Sequence, residues 1–95
     1  MQGRIYSYDE FSGRVGRNYE IHAAGHRLPV KLDAVQELPG KVRQGGSFRL
    51  EFLGPHDPAL GQGVYPFHFG DEGYEIFIVP IAREPRGIRY EALFF

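Results

Sequence analysis

Residues 65–94 read YPFHFGDEGYEIFIVPIAREPRGIRYEALF, and the fold class follows from this stretch. Tyr65, Phe67 and Phe69 alternate with Pro66 and His68, the period of a half-buried strand. Gly70-Asp71-Glu72-Gly73 is a hairpin signal. Tyr74 to Ile81 is apolar on both faces, broken by Glu75 and Pro80, and reads as a strand covered on both sides at the centre of the core. Arg83 to Gly87 is a second turn, carrying Pro85 and Gly87. Ile88, Tyr90, Ala92 and Phe94 then alternate with Arg89 and Glu91. Strands joined by turns this short pair antiparallel, because a parallel pair needs a long crossover.

The same reading extends toward the N-terminus. Phe48, Leu50 and Phe52 alternate with Arg49 and Glu51, the clearest half-buried strand of the chain. A long loop from Gly54 to Gly63 follows it, and a polar loop from Pro39 to Gly46 precedes it. Tyr19, Ile21 and Ala23 face one way, with Glu20 and His22 opposite. After a turn at Ala24-Gly25-His26, the alternation resumes at Leu28, Val30 and Leu32, then slips by one at Ala34-Val35 before Leu38 ends the segment. A slip inside a strand predicts a β-bulge, and Pro29, lacking an N–H, belongs on an edge or beside that irregularity. Ser7 to Phe11 predicts one helical turn, with Ser7 as N-cap, Glu10 completing a capping box, and Gly13 and Gly16 at its exit. The expectation is an all-β chain: a six-stranded antiparallel meander closing into a small barrel or curled two-layer sheet, with a short N-terminal helical turn. A strand ending in Leu93-Phe94-Phe95 has to be buried or paired.

Length and composition agree. The 95 residues form one domain, 1–95, with room for a single core. Apolar residues are 42% and aromatics 15%, which excludes a disordered chain. Thirteen Gly and seven Pro, spread along the chain, favour short strands over long helices. The net charge of −1 argues against nonspecific attraction to nucleic acid or anionic membrane. The longest apolar run, Ile76 to Ala82, is far too short to span a bilayer as a helix. Cysteine is absent, so disulfides, thiolate nucleophiles and Cys-based zinc sites are excluded. The opening MQGRIYSYDEF has no apolar signal region, so synthesis in the cytoplasm is expected.

Each chemistry-bearing group has a plain structural explanation. His22 and His26 flank a hairpin turn and are placed to point to one spot, with His68 on another strand face and His56 in the long loop. No HExxH or repeated His-x-His spacing marks a metal site. Ser7, Ser12 and Ser47 lie in no nucleophile turn, and threonine is absent. Glu51, Glu75 and Glu91 share the strand alternation with Arg49 and Arg89, which reads as cross-strand ion pairs on an outer sheet face. Gly61-Gln62-Gly63 lacks the following helix of a phosphate cradle. Arg14, Arg17, Arg27 and Lys31 are candidates for a basic cluster near the first hairpin, the single-strand-binding alternative, but the aromatics fall on the core side of their strands. No residue is assigned a catalytic, cofactor-binding or metal-binding role, and no enzyme is expected.

The long loop is the leading interaction candidate. Loops of this length in small domains are often functional, and its prolines limit the entropy lost on ordering. Pro55, His56, Asp57 and Gln62 are the expected partner contacts, with the Pro66 strand as an edge open to strand addition. The rival readings are a small-ligand or metal-binding domain or minor enzyme using its histidines, and a nucleic-acid-binding barrel.

The chain also resembles a family of small bacterial all-β domains of unknown function. The matching features are Phe11 and Gly16, then Phe48-x-Leu50-x-Phe52 running into Gly54-Pro55. Gln62-Gly63-x-Tyr65, Val79-Pro80-Ile81 and Tyr90-Glu91-Ala92-x-Phe94 complete the pattern, while Met1 to Tyr6 departs from it by looking strand-like. These are core and turn positions, so the resemblance implies a fold and carries no catalytic residues. It also implies a neighbourhood of phage-tail-collar or fibre-like proteins. The expected function is therefore a non-enzymatic binding or assembly module, with a tail- or fibre-like protein or a second copy as partner, incorporated into a particle after synthesis.

Overall fold

The structure is a computed structural model that describes residues 5–40 and 44–95. The strand-like reading of residues 1–6 lies outside the described residues for 1–4, as does the polar loop for 41–43; Ile5 and Tyr6 are not in a strand. One helix, α1 (Tyr8–Ser12), precedes six strands: β1 (Asn18–Ala23), β2 (His26–Glu37), β3 (Phe48–Gly54), β4 (Gly63–Phe69), β5 (Glu72–Glu84) and β6 (Gly87–Phe94). Ser7 caps α1 as expected, its Oγ accepting from the Glu10 N–H at 3.2 Å.

All neighbouring strands are antiparallel, and they close into a barrel in the order β1-β2-β3-β6-β5-β4. Each half, β1–β3 and β4–β6, is a three-strand meander. One continuous meander would place β3 beside β4; here β3 pairs with β6 and β4 returns to β1. In this ring β3 and β4 stand on opposite sides. Residues 55–62 must therefore cross the barrel end, which is the physical reason that this loop is long.

The two ends close differently. At one end Phe11 of α1 is fully buried. Its ring lies 5.7 Å from Phe48, 6.1 Å from Tyr19 and 5.4 Å from Tyr74, centroid to centroid. At the other end the 55–62 strap runs over the opening, with Leu60 packed on the core. Between them sit Ile21, Leu32, Leu50, Phe52, Phe67, Ile76, Ile78 and Tyr90, all from the inward phase of their strands.

Turns and bulges follow local chemistry. Ala24 and Gly25 both have positive φ (50° and 79°), the two-residue geometry that matches strand twist. The bulge expected in β2 falls between Leu32 and Ala34. Pro29 precedes the β2–β3 pairing, which starts at Lys31, so its missing N–H faces no ladder there. A second bulge, between Pro80 and Ala82, was not expected from the sequence. Gly87 has φ +151°, and a Cβ there would run into the carbonyl oxygen of Gly54 and come 3.1 Å from its carbon. The β5–β6 turn thus lies directly on the end of β3.

One expectation is overturned. β5 is not covered on both sides. Tyr74, Ile76 and Ile78 face the interior, while Phe77 and Ile81 are exposed. A closed barrel has one inside, and every strand belongs to it, so among the described residues no second layer covers the outer face of β5. At the C-terminal strand, Phe94 is half-buried and stacks on Phe48 at 4.6 Å, whereas Phe95 is exposed.

Candidate functional site

The strap is anchored. The His56 ring Nε2 lies 2.5 Å from the Glu84 carbonyl oxygen. The Leu60 N–H donates to the Tyr90 hydroxyl at 2.9 Å, and the Tyr65 hydroxyl donates to the Gly61 carbonyl at 2.8 Å. Of the four expected contact residues, Pro55 and His56 are half-buried, while Asp57 and Gln62 are exposed. His56 is thus committed to holding the strap, which leaves Asp57 and Gln62 presented.

The charged residues of β3 and β6 form the expected network on the outer face. Arg89 Nε and Nη2 grip the two Glu84 carboxylate oxygens at 2.7 and 3.0 Å. Its Nη1 reaches Asp33 and Glu51, each at 2.9 Å. Arg49 bonds Glu91 at 2.5 Å and also contacts Glu51. Glu51 and Glu91 stand directly opposite in the β3–β6 ladder, a like-charge pair that Arg49 bridges, while Arg89 ties Glu51 to Asp33 and Glu84. Hydrogen bonds from Arg89 hold the Asp33 and Glu84 carboxyls below their ordinary values. Groups so held stay ionised at neutral pH and are poor proton donors there. Glu75 stands apart from this network, opposite Pro66 on β4.

The histidines partly converge. The His22 and His68 rings stack at 4.0 Å with 26° between planes, across the β1–β4 seam. His22 Nε2 lies 2.8 Å from Glu20 Oε1, and this bond is the main cause of a lowered Glu20 pKa. The seam is the shortest pairing in the barrel, Glu20 with His68 and Ile21 with Phe67. His26 does not join them. It pairs with Ala23, so the pleat sends it to the face opposite His22. Among the described residues no three His, Asp or Glu side chains are disposed to hold a metal ion.

Of the four basic residues, Arg14 and Arg17 share the Phe69 ring and Lys31 lies opposite Asn18, while Arg27 is apart. Arg14 serves the plugged end: it donates to the Tyr19 hydroxyl at 3.1 Å, the Tyr74 hydroxyl at 2.7 Å and Glu72 at 2.7 Å, over the Phe69 ring. Arg17 also lies over Phe69, and Lys31 is 3.8 Å from Asp33. Arg27 is at the far end of β1, opposite His22.

What the sequence did not single out is an apolar strip on the outer face of β4, β5 and β6. Val64 is 59% exposed, Phe77 50%, Leu93 45%, Ile81 42% and Phe95 70%. Val64 and Phe77 are direct cross-strand partners. Leu93 pairs with Arg49 on its other side, so the strip stops where the charged network begins. The strap enters β4 at Gly63, which sets Gln62 at the strip's margin. The signal was present in the two-sided apolar run of β5; it reads equally as a covered strand or as a bare outer face. The Pro66 strand is not the open edge that was expected: the barrel is closed, and β4 pairs with β5 over Gly63–Phe69 and with β1 at Phe67 and His68.

No helix among the described residues is long and apolar enough to cross a membrane. No curated protein and no solved structure matches the chain. Residues 6–94 match a family described as a domain of unknown function, DUF6916, and this span runs from the aromatic cluster around α1 to the last residue of β6. With the plug, the strap and all six strands inside the match, the chain belongs to the DUF6916 family.

Proposed function

We propose that this domain is a non-enzymatic protein-binding module that works in an assembly through the outer face of β4–β6. The single observation carrying this reading is the apolar strip of Val64, Phe77 and Leu93, about half exposed beside the ion-paired charges of β3 and β6. Contiguous apolar surface of this kind marks association sites. Asp57 and Gln62 on the strap extend the contact beyond the strip and supply polar recognition at its rim. The resemblance of the core and turn motifs to bacterial domains near tail- and fibre-like proteins supports a structural partner in such a particle.

The test is affinity capture from the native host with the tagged domain, run beside Phe77→Glu and an Asp57→Ala/Gln62→Ala variant. The expected result is a stoichiometric partner, or additional copies of the chain, lost with Phe77→Glu and reduced with the strap variant. Recovery that is identical with all three proteins, or no association by any of them, overturns the reading.

A further inference from the structure

We infer that the apolar strip is the face on which a second copy of this chain packs, forming a two-fold dimer through β4–β6. This rests on the proposed binding role and names the occupant of the strip.

Three observations carry it. The first is area. The exposed parts of Val64, Phe77, Ile81, Leu93 and Phe95 sum to on the order of 450 Å², at the scale of the largest apolar patches found on a monomer. Two such faces remove roughly 900 Å² of apolar surface, and the polar rim carries the total past the ~1,000 Å² that a specific interface needs. The second is composition. An interface between different proteins is about as apolar as ordinary surface, whereas homodimer interfaces are more apolar and poor in charge. The centre of the strip, Val64, Phe77, Val79 and Leu93, is apolar, and its charges, Glu75 on β5 and Glu91 opposite Val79 on β6, stand at its margins. The third is symmetry. Phe77 sits on the middle strand, with its partner Val64 on β4 and, on β6, Leu93 two positions beyond the Glu91 that pairs with Val79, both about as exposed as itself. A two-fold axis in the interface plane, running along β5, lays Val64 of one copy over Leu93 of the other and Phe77 over Phe77. A patch apolar on both flanks of its centre is self-complementary under that operation, which is what an isologous contact requires.

The barrel supplies the means. β5 is held by β4 over Glu72–Ile78 and by β6 from Val79 to Glu84, so its outer side chains stand on paired backbone and little ordering entropy is lost on docking. The ion-pair network of Arg49, Arg89 and their carboxylates spans β3, β6 and the end of β5 and borders the strip at Leu93, whose β3 partner is Arg49.

The experiment is sedimentation equilibrium on the purified 95-residue chain, from low micromolar to several hundred micromolar. Wild type, Phe77→Glu, Val64→Lys and, as a control away from the strip, Val15→Glu are compared, with circular dichroism and a thermal melt on each. The expected result is a concentration-dependent dimer for wild type and Val15→Glu. Phe77→Glu and Val64→Lys weaken it by about 100-fold, since each would bury an unpaired charge, while keeping the wild-type spectrum. Two strip variants keep the test valid if one of them fails to fold. Wild type that stays monomeric throughout, or a dimer that survives both strip charges, overturns the inference. A monomer that still captures another protein through Phe77 refutes the second copy alone; loss of both results refutes the binding role as well.

Discussion

Replacing Gly87 with alanine tests the closest backbone approach in the barrel. Gly87 opens β6 at φ +151°, a conformation that side-chain-bearing residues rarely adopt. Holding alanine there costs about 1–3 kcal/mol in backbone strain. The new Cβ would also run into the Gly54 carbonyl oxygen, with the Gly54 carbon at 3.1 Å and Leu53 Cδ1 at 3.7 Å. The obstacle is backbone, which cannot rotate away as a side-chain tip would. Relief has to come from displacing the Pro85-Arg86 turn or the end of β3, where Gly54 pairs with Ile88. Overpacking of this kind adds about 1–3 kcal/mol. The total of roughly 2–6 kcal/mol is a large part of the stability of a small domain. At this chain length it lowers Tm by about 10–30 °C. Thermal melts followed by circular dichroism measure it, with Gly61→Ala as the comparison. Gly61 has no positive φ and open space around its Cβ position, so that change stays within about 0.5 kcal/mol. A Gly87→Ala protein melting within a few degrees of wild type would refute the close packing of the β5–β6 turn on β3.

Two further outcomes follow from the charge arrangement. Arg89→Met leaves Asp33, Glu51 and Glu84 facing one another without their shared guanidinium, so urea denaturation at neutral pH finds it less stable than wild type. Asp33 and Glu84 have folded values held below 3.8 and 4.5 by Arg89; their contribution is present above those values and lost as pH falls through the lower folded ones. The two proteins therefore converge in strongly acid solution, and a constant difference down to that range would contradict the assignment. Burial, then the hydrogen bond to Glu10, pushes the Tyr74 hydroxyl up from 10.0 to about 12. Its stabilising contribution is complete below the unfolded value and is lost as pH rises through the folded one, so wild type weakens between about pH 10 and 12 more steeply than Tyr74→Phe. Burial raises Tyr19 as well, so absorbance titration of tyrosinate shows more than one late-ionising group, and Tyr74→Phe removes one of them.

Local patterning carried most of the fold. The alternations at 19–23, 48–52 and 88–94 identified the inward side chains, because a strand has two faces and one must be dry. The bulge after Leu32 and the Ser7 cap were legible for the same reason: each is decided within a few residues. The site was less legible. His22 and His68 meet because β4 closes onto β1, a contact between residues 46 positions apart that no local spacing encodes. Arg14 reaches Tyr74 and Glu72 through the tertiary fold, so a residue read as a candidate member of a basic cluster holds the plugged end.

By itself the sequence determined which segments are strands, where they turn and which phase of each is apolar, since those properties depend on side chains a few positions apart. The tertiary structure decided strand order, the meaning of the long loop and the fate of the second apolar face of β5. Placing β3 beside β6 made residues 55–62 a strap across the barrel end. Closing six strands into one ring used a single face of each for the core, and so left Val64, Phe77 and Leu93 on the outside. An apolar outward position has the same local sequence whether another layer covers it or not; only the count and closure of the strands settles which.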